Sequence, residues 1–193
     1  MNSSNLLSIF FTLAIVQNFI VAQFLGLCPF FGVTKRLSDS LSMGMALIFV
    51  MVTSSIACWL ITYKLLIPYD MLYMNNVVYI LVIATLVQII EMFIKRTNAH
   101  LYNAFGIYLP LITVNCAVLG ITFINLREDF TLIQSIVAAL GGGFGFILVM
   151  AIMAGIREKL DLADSPKSMR GLPVAIFVAM LLGLTFFGFG GIG

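Results

Sequence analysis

Long apolar runs separated by short polar joints set the pattern of this chain. Six stretches are long enough to be spanning helices: 6–33, 41–63, 76–94, 102–126, 130–156 and 172–189. A transmembrane helix needs about 20 mostly apolar residues. A spanning β-barrel would instead alternate apolar and polar residues over about ten positions per strand. Here the runs are continuous, as across 77–90. The pattern predicts an all-α integral membrane protein of six transmembrane helices. One transmembrane domain fills residues 1–193, with short joints and no soluble domain.

Composition agrees. Apolar residues make up 62 % of the chain and charged residues 9 %, and mean hydropathy is +1.13. Soluble domains carry roughly 45–50 % apolar and about 25 % charged residues. The first five residues hold no Lys or Arg, and no cleavage site follows a short apolar core. The first apolar run is therefore expected to be a permanent span, in contact with membrane lipid. Net charge is only +2. No basic patch is large enough for nucleic acid.

Orientation is read from the loop cations. Lys35, Arg36, Lys95, Arg96, Arg157, Lys159, Lys167 and Arg170 fall on one side, and Lys64 and Arg127 on the other. The cation-rich side is expected to face the cytoplasm, with both termini outside. The loop from Arg157 to Gly171 is expected to be a cytoplasmic connection or docking surface.

The two halves of the chain look alike. Phe24-Leu-Gly-Leu-Cys-Pro-Phe-Phe-Gly32 lies in the first span, and Leu109-Pro-Leu-Ile-Thr-Val-Asn-Cys-Ala-Val-Leu-Gly120 in the fourth. In each, a cysteine precedes a glycine by four positions and a proline stands nearby. Cys116 follows Cys28 by 88 residues. Equivalent helices three crossings apart run in opposite directions, so the halves, about 1–96 and 97–193, form two inverted three-helix repeats. Gly26, Pro29 and Gly32 punctuate one repeated helix, and Gly106, Pro110 and Gly120 the other. Proline removes a backbone donor, and glycine weakens a helix by about 1 kcal/mol. Helices 1 and 4 are thus expected to be broken near the midplane.

The matched Cys28 and Cys116 are the main chemical candidates. Two facing thiols fit a disulfide, a metal or an iron–sulfur cluster. A cluster needs four ligands, typically thiolates, so two would have to come from another chain. Cys58 has no counterpart at the repeat offset and reads as a packing residue. Glu91 lies inside the third span, where a carboxylate marks function by default. An interfacial pair with Lys95, four residues on, is the plainer reading. Asn115 and Thr113 are polar groups in the second broken segment, and Asn18 and Gln23 lie in the first. They are expected to bond freed backbone, bridge helices or line an ion path. Gly141-Gly-Gly-Phe-Gly145 lacks the Lys-Ser/Thr ending of a phosphate loop and reads as a close helix contact. His100 is the single histidine, so bis-histidine haem ligation within this chain is excluded. There is no Rossmann fingerprint, zinc spacing or nucleophile elbow.

Four stretches carry a family resemblance: Phe24-Leu-Gly-Leu-Cys-Pro-Phe-Phe-Gly-Val-Thr-Lys-Arg36, Gln88-Ile-Ile-Glu-Met92, the Leu109–Gly120 motif above, and Gly155-Ile-Arg-Glu-Lys159. They resemble the A-type membrane subunits of the Rnf–Nqr family. The E-type subunit of the sodium-pumping NADH:quinone oxidoreductase is similar in length, layout and both cysteine motifs. Cys28-Pro29-Phe30 looks more like Rnf, because that E-type chain usually has threonine after the cysteine. The resemblance implies a component of a translocase-type ferredoxin:NAD⁺ oxidoreductase in the bacterial cytoplasmic (inner) membrane. It implies electron relay coupled to Na⁺ or H⁺ export, with no complete active site in this chain. It further implies a [2Fe–2S] cluster whose iron is ligated by Cys28 and Cys116. The other two ligands would come from a homologous E-type subunit in the opposite orientation. The B, C, D and G types are the other implied partners, and no flavin, NAD or haem is expected on this chain alone.

Overall fold

A computed structural model describes residues 3–34, 37–67, 72–97, 115–162 and 171–190, all of them helical or in turns between helices. α1 spans Ser3–Phe11 and widens into a π turn over Thr12–Val16. α2 is Leu27–Val33. α3, Leu37–Ile61, likewise ends in a π turn, Thr62–Leu66. After a 3₁₀ turn at Leu72–Met74 come α4 (Asn75–Thr97), α5 (Cys116–Arg127), α6 (Leu132–Leu162) and α7 (Leu172–Gly190). Among the described residues, three helical stretches are long and apolar enough to cross a membrane: Leu37–Leu66, Asn75–Met92 and Leu132–Leu160. The expected first half of the fourth span lies outside the described residues, as do Thr113 and His100. The loop at 163–170 does so too.

α3 and α6 pack most extensively on each other and form the centre of the molecule. Met43, Leu47 and Met51 of α3 are buried there with Phe146, Met150 and Met153 of α6. The other face of the bundle is apolar and exposed, as at Met45, Phe49, Leu81 and Ile89. Such a surface suits a bilayer, where lipid rather than water covers it. Cys58 is buried in the core and fills space there, as its lack of a repeat counterpart predicts.

The first span is broken, but upstream of where the glycines and proline predict. Pro29 and Gly32 sit inside α2. Pro29 occupies the first helical turn, where its missing N–H would have had no partner anyway. The irregular stretch is 17–26, ending at Gly26 with φ +81°. Asn18, buried at 1 % exposure, holds this break together. Its Nδ2 donates to the carbonyl of Ala14 (3.1 Å) and to that of Gly145 on α6 (2.8 Å). Its Oδ1 accepts from the Ile20 N–H (3.1 Å). Backbone bonds from Ala22 to Asn18 and from Leu25 to Phe19 complete the turn.

The Gly141–Gly145 stretch is a contact surface, as its composition suggests. α1 and the break lie directly on it. A Cβ at Gly145 would collide with the Ala14 carbonyl and come within 2.8 Å of Asn18 Nδ2 and 2.9 Å of Ala14 Cα. Gly155, on the same helix, has nothing within 4 Å of the equivalent point. Gly145→Ala should therefore cost about 1–3 kcal/mol through overpacking, and Gly155→Ala nothing or a slight gain. Thermal unfolding of the detergent-purified complex checks the contrast. Equal midpoints for the two variants would show that the close approach at Gly145 does not matter.

Candidate functional site

Both motif cysteines lie at the start of a helix. Cys28 is the second residue of α2 and Cys116 the first of α5, and both thiols are exposed. Asn115 caps α5 in extended conformation (φ −76°, ψ 116°), its Oδ1 accepting from the Ala117 N–H at 3.0 Å. A short polar acceptor at this position satisfies one of the donors a helix start leaves open.

The two helix starts meet. A Cβ at Gly26 would stand 3.3 Å from Asn115 Oδ1 and 2.6 Å from the ring of Phe146. Glycine is required at that position twice over, by the left-handed φ and by this approach. One turn into α5, Gly120 lies against the side chains of Leu25 and Phe19. The break in the first span is thus packed directly on the start of α5, with the fully buried Phe146 beneath both. Asn115 is 5 % exposed, yet its Nδ2 has no hydrogen-bond partner among the described residues. A buried amide donor left unmade costs about 1–3 kcal/mol. Beside Cys116 a groove of about 820 Å³ opens between α4, α5 and the break, with Gln23 and Arg127 among its polar lining.

α2 is only seven residues long, and three of its last four carbonyls are met by side chains. Thr34 Oγ1 donates to Phe30 O (2.6 Å) and Ser40 Oγ to Val33 O (3.4 Å). Arg157 Nη1 donates to Phe31 O (3.1 Å) and to Thr34 Oγ1 (2.9 Å). Here the structure departs from the sequence pattern, which puts Arg157 at the start of a cytoplasmic loop. α6 runs on to Leu162, and the Arg157 guanidinium is buried against the end of α2. A cation 126 positions away in sequence leaves no local signal of this role.

The remaining predicted residues lie elsewhere. Glu91 is half-exposed on α4, and the side chain of Lys95 lies outside the described residues. Asn18 is assigned by the structure to backbone bonding and helix bridging, while Gln23 is exposed at the groove. Among the described residues, no three His, Cys, Asp or Glu converge.

A family model described as "Rnf-Nqr subunit, membrane protein" matches residues 6–193. The chain belongs to the Rnf–Nqr family. It is 46 % identical over 188 residues to the A-type subunit of the ion-translocating oxidoreductase complex of Syntrophotalea carbinolica, covering 97 % of each chain. It is 45 % identical over 185 residues to the A-type subunit of the proton-translocating ferredoxin:NAD(+) oxidoreductase complex of Clostridium ljungdahlii, covering 96 % of each. It is 43 % identical over 176 residues to the corresponding subunit of the Na(+)-translocating complex of Acetobacterium woodii, covering 91 % of this chain and 92 % of that one. All three relatives are of the A type, to which Cys28-Pro29-Phe30 points.

The bonds at the end of α2 bear on stability. A hydrogen bond to a charged group is worth about 1.5–3 kcal/mol, so Arg157→Ala should destabilise the complex by roughly that amount. Arg157→Lys should recover part of it, since a cation still reaches the Phe31 carbonyl. Denaturant or thermal unfolding of the purified complex measures both. A neutral Arg157→Ala would mean that α2 does not depend on this bond.

Proposed function

We propose that this chain is the A-type subunit of an ion-translocating ferredoxin:NAD⁺ oxidoreductase and relays electrons within the membrane. The observation that carries the proposal is the pair of exposed thiols at two abutting helix starts, beside a buried amide donor with no partner among the described residues. The names of the relatives support the complex and its coupled ion transport.

The residues fit a shared [2Fe–2S] cluster. Cys28 and Cys116 would supply two thiolates. No further His or Cys stands with them among the described residues, so the other two ligands would come from a second chain. Their exposure leaves them open to that chain, a homologous protein in the opposite orientation. Asn115 Nδ2 would donate to a sulfur there, and hydrogen bonds to sulfur raise the potential at which such a centre is reduced. When bound, the cluster supplies one-electron transfer. Phe146 and the residues of the break exclude water from the inner side of the site.

Extra negative charge at this depth is costly in a low dielectric unless a cation approaches. That cost is a physical route from electron transfer to ion movement. The halves of the chain then act as inverted repeats about the site, with both termini on the outer side of the bacterial inner membrane and the B, C, D and G types as further partners.

The test is low-temperature EPR of the dithionite-reduced complex in membranes, comparing wild type with Cys28→Ala and Cys116→Ala. Signals from clusters in the other subunits are subtracted. Both variants should lose the same [2Fe–2S]-type signal while the complex still assembles. An unchanged spectrum in both would make the cysteines packing residues and end the proposal.

A further inference from the structure

A second polar site lies at the other end of α5, away from Cys116. A cavity of about 170 Å³ opens between α3, α4 and the α5–α6 turn, with Ser55, Thr62, Tyr79, Thr122, Asn125 and Asp129 among its lining. The hydroxyl hydrogens of Ser55, Thr62, Thr122 and Tyr79 are already committed. Ser55 Oγ donates to the Ser135 carbonyl (3.3 Å), and Thr122 Oγ1 to that of Leu119 (2.8 Å). Thr62 Oγ1 donates to the Cys58 carbonyl (2.8 Å). With that hydrogen spent, the 2.6 Å contact between Thr62 and Tyr79 runs from the phenol to the threonine. Trp59 donates its ring N–H to the Phe130 carbonyl (3.1 Å). The phenol and hydroxyl oxygens facing the cavity therefore offer lone pairs.

Asn125 completes the lining. It is only 8 % exposed, and its Nδ2 donates to Ser55 Oγ at 2.5 Å. Its Oδ1 is buried with no hydrogen-bond partner among the described residues. A buried acceptor without a donor is costly unless something fills the space beside it. Asp129, held in left-handed backbone (φ +48°), adds a carboxylate at the exposed rim. Among the described residues, no Lys or Arg lines the cavity.

Buried oxygen acceptors with spent donors, one carboxylate and no competing cation are the chemistry of a hard cation site. Divalent ions draw on several carboxylates, and here there is one. We infer that this cavity binds a monovalent cation of sodium type, with Asn125 Oδ1, Ser55 Oγ and the Tyr79 phenol oxygen as inner ligands and Asp129 at the mouth. Its part in transport rests on the function proposed above; the binding itself does not. Asn125 lies nine residues beyond Cys116 on α5, about 14 Å along the axis at 1.5 Å per residue. One rigid helix thus links the thiol site to the cation site.

The experiment is equilibrium binding of ²²Na⁺ to the intact purified complex in its oxidised form. Wild type is compared with Asn125→Leu, Asn125→Asp and Tyr79→Phe, each also checked for assembly and for the EPR signal above. Asn125→Leu should weaken one sodium site at least tenfold, and Tyr79→Phe several-fold. Asn125→Asp keeps an oxygen toward the cavity and should bind as tightly as wild type or more so. If Asn125→Leu does not assemble, the other two variants decide. Identical sodium binding in wild type and Tyr79→Phe would overturn the inference, leaving a cavity that holds water. Weakened binding in Asn125→Asp would also overturn it, because the amide would then present its N–H groups. Sodium binding lost with the EPR signal intact separates this site from the cluster, and a missing cluster with intact sodium binding does the same in reverse.

Discussion

A backbone that leaves the helix inside a membrane must find a partner for every polar group it frees. Unsatisfied N–H and C=O groups cost several kcal/mol each where no water reaches them. The break at 17–26 meets that requirement in part through backbone bonds and in part through one side chain. Asn18 bonds the carbonyl before the break, the N–H within it and a carbonyl of the neighbouring helix. The glycine stretch on α6 lets the break come close enough for that last bond. Losing the bonds at Asn18 or the space at Gly145 would destabilise the break.

The same requirement explains why so short a helix as α2 is stable. Seven residues are too few to hold a helix by propensity and hydrogen bonding alone. Thr34, Ser40 and Arg157 each take one of its orphaned carbonyls. Arg157 ties the far end of α2 to α6, while Phe146, also on α6, lies under the start of α2 beside Gly26. α2 is therefore held at both ends by one long helix. Rigid placement of this kind is what a metal centre shared between chains demands, since each chain fixes only half of the ligand geometry.

Much of this was legible in the sequence. Three of the apolar spans, the burial of Cys58 and the close contact at Gly141–Gly145 follow from local composition and spacing. The place of the first break did not follow. Proline and glycine mark helix starts as well as interruptions, and Pro29 proved to be in a first turn. Arg157 and Asn125 were not legible as site residues either. The first reads as an ordinary loop cation and the second as a polar residue near a helix end. Their roles come from partners 126 and 70 positions away, and no pattern along one stretch of chain carries that information.

A shared metal centre requires Cys28 and Cys116 to come to one place. Cross-linking with a short phenylene bismaleimide tests this on the purified complex, stripped of iron by chelation, with peptide mapping by mass spectrometry. The expected product is a Cys28–Cys116 cross-link, with the buried Cys58 unreacted. Cys28 and Cys116 each modified singly and never joined would contradict the shared site, because the thiols would then lie apart.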